Sequence, residues 1–394
     1  MNEAFAARPP KRSELTAGAI QLRGLAQTLD QARTGGLAEH DESLGRAAAD
    51  ALLPLGTVFE VVLPDRSSCF VRRGRFLGSG GTAFVCAVEF LTGSAGPVHS
   101  EVAAKFLYKQ VSGGIDLSAA ERTLATNFFQ ELDAHRTLTA LRSVEELHTM
   151  GLGVAHGAYP LRRSQSSPDV RTTEVMFQGQ TALVVMPLTM LVLPLLGPDL
   201  FDLYFEQVSP AVLKSLVFQT VHTVANLHSL GYGHGDLKPE NFAVDIRSGA
   251  IKLIDFSSLA PLNVRRKISG QWTQTFASPE KFRALCARAP FAIADTDDAW
   301  SLGVALYRIL SHLPHPYVSE VDLPAFEAQG LLGAEHRLDE FIMPQPWKER
   351  LTAIETRQEL LQIVKLLVHP EPTRRWTPRR LVREHPFFQE QKEN

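Results

Sequence analysis

The spacing of apolar residues changes along this chain and divides it. Between Leu15 and Ala32 (LTAGAIQLRGLAQTLDQA) Ile20, Leu22, Leu25 and Leu29 fall on roughly one helical face, and Gly35-Gly36 ends the run. Glu42–Leu53 repeats helical spacing and is closed by Pro54 and Gly56. From Thr57 the period becomes two. VFEVVL, CFVRRGRFLGSGGTAFVCAVEF and EVAAKFLY predict successive strands with turns between them. Helical spacing returns over Asp116–Leu141, where Phe128, Leu132, His135 and Leu138 share a face. Leu161–Gly179 is polar and serine-rich and reads as an exposed loop; Thr181–Gly197, apolar but broken by two prolines, reads as strands. Beyond Pro198 the pattern predicts helices over Asp199–Gln207, Pro210–Leu230, Asp298–Leu313, Arg357–Leu367 and Pro378–Glu384.

Strands first and helices second predict an α+β protein with two lobes. Residues 1–56 form a helical extension, 57–388 the main domain, divided between 196 and 197, and 389–394 a tail. An isolated amphipathic helix is marginal in water, so the extension is expected to pack on the strand-rich lobe.

Composition adds mainly exclusions. A net charge of -3 gives no general attraction to nucleic acid or anionic membrane. Three cysteines, Cys69, Cys86 and Cys286, are no disulfide framework and suit reduced thiols. Cys86, inside the apolar run FVCAV, reads as a small buried hydrophobe. The chain has no apolar run of about 18 residues, so no transmembrane segment is expected. MNEAFAARPPKRSEL has no apolar signal core.

Five features carry candidate chemistry. LGSGGTAFV places Gly78, Gly80 and Gly81 in a turn between strands, where backbone N–H groups can meet phosphate oxygens. Lys105, on the following strand, suits nucleotide phosphates. Glu131, on the next helical run, can pair with it. In GHGDLKPEN, Asp236 can accept the proton of an attacking hydroxyl, Lys238 can neutralise charge and Asn241 can ligate magnesium. Asp255 ends the apolar strand of IKLIDF, where a carboxylate can also hold magnesium. Taken singly these are a turn, a solvated edge, an exposed charge, a loop and a strand end. Their joint order is what points to phosphoryl transfer.

In that order the chain resembles the eukaryotic protein kinase family, from about Phe59 to Phe388. The resemblance implies a bilobal kinase fold with a β-rich N-lobe (57–196) and a helical C-lobe (197–388), using ATP and Mg2+. It makes Lys105, Glu131, Asp236 and Lys238 the catalytic group, and Asn241 and Asp255 the metal ligands. Gly78, Ser79, Gly80, Gly81, Val85, Ala103, Lys105, Leu193, Leu195, Leu196 and Asn241 would bind nucleotide, with Leu193 as gatekeeper and the backbones of Leu195 and Leu196 at the adenine. ASPE (Ala277–Glu280) looks like the end of the activation segment, DAWSLGV like the core helix after it, and Arg375 like the arginine that pairs with Glu280. Lys238 and Thr275, the latter as a threonine holding the catalytic loop, resemble serine/threonine kinases and imply a protein substrate.

A narrower resemblance, over ALLPLGTVFEVVLPDRSSCFVRRGRFLGSGGTAFV, is to the rhoptry kinases of apicomplexan parasites. It implies secretion from rhoptries into a host cell or onto the parasitophorous vacuole, with host-cell proteins as partners. Many members of that family transfer nothing, so a pseudokinase scaffold is the competing expectation. A small-molecule kinase is disfavoured by the complete activation segment.

Three positions depart from the family pattern. Ala83 replaces the third glycine of the phosphate loop and adds a methyl there. Ser257 replaces the glycine after Asp255-Phe256, where freedom at positive φ would be reduced. Gly235 stands where an arginine usually couples activation-loop phosphate to the catalytic loop. Glycine cannot make that contact, so activity is expected without loop phosphorylation. The segment still offers Ser257, Ser258, Ser269, Thr273 and Thr275 as acceptors and carries the basic run Arg265, Arg266 and Lys267.

Overall fold

The structure, a computed structural model, describes residues 9–34, 43–91, 101–111, 117–162, 170–266, 273–318, 340–344 and 347–389. Gly35, Gly36, Glu42, Asp116, Lys267 and Ser269 lie outside them. The chain forms two units: 30–148 with 153–196, and 1–29 with 149–152 and 197–394. Helix α1 (Arg12–Thr34) belongs to the second unit as far as Leu29, and α2 (Leu44–Leu52) to the first.

In the first unit, β1 (Val58–Val62), β2 (Ser68–Ser79), β3 (Ala83–Phe90) and β4 (Glu101–Leu107) pair in sequence, all antiparallel. β5 (Lys109–Val111), α3 (Leu117–Leu141), α4 (Val144–Thr149), β6 (Gly157–Pro160), β7 (Val170–Phe177), β8 (Gln180–Pro187) and β9 (Thr189–Leu193) follow. The sheet order is β1-β2-β3-β4-β9-β6, with a smaller sheet β5-β8-β7. Strand alternation gives the large sheet two faces. Phe84, Cys86, Val88, Ala104, Phe106 and Val192 point into a core with Ala48, Ala49 and Leu52 of α2. Ala83, Leu107 and Leu191 point the other way, onto Leu124, Phe128 and Leu132 of α3.

This arrangement settles two expectations. The methyl of Ala83 lies in that α3-side core rather than in the phosphate loop. Residues 170–177 are a strand and not part of an exposed loop, because VRTTEVMF alternates and pairs with β8 along its whole length.

In the second unit, α5 (Pro210–Ser229) is largely buried, its polar Ser215, Thr220, Thr223 and His228 included. The unit also holds α6 (Pro279–Cys286), and α7 (Asp295–Ser311), α8 (Ile354–Leu367) and α9 (Pro378–Glu384) pack on α5. Ser209, Ser278 and Thr377 cap α5, α6 and α9 by accepting a backbone N–H. The strands are short: β10 (Tyr232–Gly233), β11 (Phe242–Val244), β12 (Ile251–Leu253), β13 (Ala260–Pro261), β14 (Arg265–Arg266) and β15 (Phe291–Ala292). They pair as β10–β13, β11–β12 and β14–β15. Asp199–Gln207 is not a helix. Asp199 Oδ1 accepts the N–H groups of Phe201 and Asp202 at 2.9 and 3.0 Å, which turns the chain instead.

The two helices of the extension pack differently. α2 lies on the strand-rich unit, as expected, and its Asp50 pairs with buried Arg73 at 2.8 Å. α1 as far as Leu29 packs on the helical unit, contrary to expectation. Leu15 O accepts Ser215 Oγ at 3.2 Å, and Gln27 Nε2 donates to Ile246 O at 2.8 Å. Its buried positions are Gly18, Leu22 and Ala26, while Ile20 is exposed. The face was set by close backbone approach: a Cβ on Gly18 would overlap Ala211 O, and one on Gly249 would overlap Ala19 O. Among the described residues no helix is long and apolar enough to cross a membrane.

Candidate active site

In the strand-rich unit the β3–β4 and β4–β9 registers set Val85 opposite Lys105, Ala103 opposite Leu193 and Lys105 opposite Leu191. Val85, Ala103, Lys105 and Leu193 therefore share one face of the sheet. Lys105 Nζ lies 2.6 Å from Glu131 Oε1 of α3, with the side chains 13% and 5% exposed. Leu195 and Leu196 follow β9 in a segment without regular pairing.

β2 ends in Gly78 and Ser79, paired with Val85 and Phe84, and the turn to β3 carries Gly80 and Gly81. Gly80 N–H donates to Ala83 O at 2.8 Å, closing the turn. Tyr108 Oη donates to Gly80 O at 3.1 Å, and Ser79 Oγ meets Ser43 Oγ at 2.9 Å. A Cβ on Gly78 or Gly80 would touch nothing within 4 Å, so these glycines keep the backbone bare on an open side.

In the helical unit the catalytic-loop candidates hang on Asp298 of α7. Its Oδ2 accepts His234 N–H at 2.7 Å and its Oδ1 accepts Gly235 N–H at 2.9 Å. His228 Nε2 donates to Oδ2 at 2.9 Å. Burial opposes the charge of Asp298, but the bond from His228 and the N–H donors outweigh it and hold the carboxyl below its ordinary range. His234 then links the loop to the next segment: its Nδ1 accepts Asp236 N–H at 3.3 Å, its Nε2 donates to Ile254 O at 3.1 Å, and its ring lies 5.8 Å from that of Phe256.

Asp236 is held at both oxygens. Lys238 Nζ donates to Oδ2 at 3.0 Å, and Thr273 N–H donates to Oδ1 at 3.2 Å. Lys238 also donates to Thr273 Oγ1 at 3.2 Å. The threonine at the catalytic loop is thus Thr273 and not Thr275. Thr275 falls inside a short 3-10 turn, Gln274–Phe276. Counting back from the Ser-Pro-Glu that ends the segment, rather than choosing the threonine nearest it, would have found the right residue.

Asn241 precedes β11 and Asp255 follows β12 by two residues. Ile254 N–H donates to Asn241 O at 2.8 Å, so the ladder brings both to one end of the hairpin. Asn241 Nδ2 donates to Asp236 O at 2.7 Å, which turns its amide oxygen the other way. Asp255 has φ 61° and ψ 76°, a left-handed conformation that aspartate tolerates and that tends to occur at functional sites. Ser257 has no positive φ, so a glycine is not needed there; the strained position is Asp255 itself. Magnesium, which the resemblance implies, takes oxygen ligands and keeps several of them from water and phosphate. Among the described residues no three His, Cys, Asp or Glu side chains gather for a metal. An amide oxygen and a carboxylate at one hairpin end fit an ion whose remaining ligands come from a phosphate chain.

The activation segment is pinned at its end. Glu280 meets Arg375 at 2.5 and 3.2 Å, Arg375 is buried, and its guanidinium lies 5.0 Å from the Trp300 ring. Arg266 donates to Ser258 O at 2.8 Å and Leu259 O at 3.2 Å, binding the segment to itself.

The protein kinase domain profile matches residues 161–388, more than half of the chain, and includes every site residue from Leu193 onward. The human citron Rho-interacting kinase is 31% identical over 120 residues, 29% of this chain and 6% of that protein. The serine/threonine-protein kinase ROP17 of Toxoplasma gondii is 35% identical over 120 residues, 30% of this chain and 19% of that protein. The matched part is thus well under two thirds of either relative. Among solved structures, the ROP18 kinase domain in complex with AMP-PNP and sucrose superposes with a TM-score of 0.66 at 20% identity, covering 95% of both chains. ROP2 from Toxoplasma gondii, described as having a protein-kinase fold and no enzymatic activity, gives 0.64 at 13%, covering 94% of both. With the protein kinase domain profile matched over more than half of the chain, the chain belongs to the protein kinase family.

Proposed function

We propose that this chain is a serine/threonine protein kinase, that residues 57–388 form its kinase domain behind a helical extension (1–56), and that it works without activation-loop phosphorylation. The observation that carries the reading is the Lys105–Glu131 ion pair at 2.6 Å, formed and largely buried. Bound ATP with magnesium supplies the phosphoryl group and its charge neutralisation. Lys105, aimed by Glu131, holds the α- and β-phosphates, and the backbone of Gly78–Gly81 covers them. Val85, Ala103 and Leu193 line the adenine, with the backbone of Leu195 and Leu196 beside it. Asn241 and Asp255 hold the metal. Asp236 orients the attacking hydroxyl and takes its proton, and Lys238 offsets charge on the moving group. Catalysis is then mainly positioning and charge stabilisation.

The likeness to rhoptry kinases supports a protein that acts from rhoptries on host-cell proteins, in the host cell or at the parasitophorous vacuole. The test of activity is transfer from labelled ATP with magnesium to a generic basic protein, run beside Asp236→Ala. Incorporation by the wild type alone supports the enzyme. Equal, background incorporation by both, with nucleotide binding intact, defeats it. The likeness to ROP2, a protein with a protein-kinase fold and no enzymatic activity, favours the second reading in that event, a kinase-like scaffold that binds partners without transfer.

A further inference from the structure

Gly235 lacks the arginine that would couple the catalytic loop to a phosphate, and Asp298 holds only the N–H groups of His234 and Gly235. The peptide between Gly235 and Asp236 is gripped at both ends. Its N–H goes to His234 Nδ1 at 3.3 Å. Its carbonyl oxygen accepts a hydrogen bond from Lys281 Nζ. Lys281 lies on α6, directly after the activation segment, and is only 4% exposed.

A buried ammonium needs a counter-charge, and Asp297 of α7 stands 3.8 Å away. The geometry is not that of a simple ion pair, however. Asp297 Oδ1 is taken by Ser278 Oγ at 2.5 Å, and Oδ2 has no hydrogen-bond partner. Had Lys281 served only to neutralise Asp297, its Nζ would sit on Oδ2. It reaches past that oxygen to the Gly235 carbonyl instead. Ser278 meanwhile caps α6 by accepting Lys281 N–H at 3.2 Å. The end of the activation segment, the first turn of α6 and the catalytic loop are therefore joined through one cation that belongs to the chain itself.

We infer that Lys281 is a positioning residue of the catalytic loop, fixing the Gly235–Asp236 peptide from the activation-segment side and so aiming Asp236 without a phosphate. This rests on the kinase reading for its catalytic consequence, though not for its structural one. Lys281 acts through the Gly235 peptide and touches no reacting atom.

The test uses the full chain. Lys281→Met alone would leave Asp297 buried and unpaired, so the main variant is Lys281→Met with Asp297→Asn, which removes both charges together. Lys281→Arg keeps a donor at the same place. In steady-state assays the double variant is expected to lose on the order of 100-fold in kcat, with KM for ATP within about threefold of wild type. Lys281→Arg is expected to recover a large part of kcat. Phosphatase treatment is expected to leave the wild-type rate unchanged. Amide exchange over residues 233–241 reads loop order without turnover and is expected to speed up about tenfold or more in the double variant, with Lys281→Arg near wild type. Wild-type kcat and wild-type exchange in the double variant would overturn the inference, as would Lys281→Arg no better than the double variant on both readouts. If the wild type itself transfers nothing, the kinase reading falls, and the exchange comparison alone decides whether Lys281 holds the loop.

Discussion

Lys105 of β4 and Glu131 of α3 lie 2.6 Å apart in the strand-rich unit, and neither side chain is more than 13% exposed. Removing one partner of such a pair costs about 3–5 kcal/mol. Lys105→Met is therefore expected to lower the melting temperature as well as to abolish transfer. Glu131→Gln keeps the hydrogen-bonding shape and loses only the charge. It should retain the fold and lose roughly 10- to 100-fold in kcat/KM, because Lys105 is no longer aimed. Thermal melts and ATP titration of both variants separate the two effects. Equal rates for Glu131→Gln and wild type would remove Glu131 from the proposed machinery.

Restoring an arginine at position 235 should not restore phosphate control. Gly235 has φ +79°, and a Cβ there would stand 2.5 Å from Ile293 Cδ1 and 3.0 Å from Ser258 O. Any side chain meets both the left-handed backbone penalty and a packed wall, together about 2–5 kcal/mol. Gly235→Ala and Gly235→Arg are both expected to unfold at lower denaturant concentration and to lose activity, with no new response to phosphatase. The glycine is a steric requirement of this loop as well as a missing contact.

How far these features could be read beforehand depended on what set them. Outside 170–177 and Asp199–Gln207 the strand and helix periods, like the Asp236–Asn241 spacing, are local patterns that the described residues follow, and the Lys105–Glu131 pair joins two of them. α1 was legible as a helix but not in its docking face, because Gly18 and Gly249 meet carbonyls and apolar periodicity carries no sign of that. Asp199–Gln207 has helical spacing, yet two N–H bonds to Asp199 won over it. Lys281 was unreadable for a different reason. In sequence it is one more lysine in the first turn of a helix, and only the fold shows that it is buried against a carbonyl.

The glycine contacts of α1 give a prediction for the extension. Gly18→Val would force its side chain onto Ala211 O and Ser215, which α1 covers in the wild type. Overpacking of this kind costs about 1–3 kcal/mol or detaches the helix. The expected result is a helical unit more readily cleaved near residues 9–29 by a trace protease, with a lower melting temperature. Gly24→Ala is the control, since a Cβ there touches nothing within 4 Å, and it should behave as wild type.

Asp297 predicts a pH effect on stability. Burial, followed by smaller effects of its neighbours, raises its pKa from 3.8 to about 6, against which the charge of Lys281 works. Between those values the folded chain keeps a proton that the unfolded chain has lost. Unfolding free energy therefore falls as pH rises through that window and levels off above about 6. His315 pulls the other way, since burial lowers its pKa to about 3, so the total curve mixes opposing slopes. The difference between Asp297→Asn and wild type isolates one group. Relative to wild type, the variant should gain stability by about 2–3 kcal/mol from pH 4 to pH 6.5, at 1.36 kcal/mol per pKa unit. Urea melts of both proteins at half-unit pH steps measure it. A difference that stays constant across the window would mean that Asp297 is ionised throughout, and that Lys281 and Ser278 hold its charge more firmly than its burial opposes it.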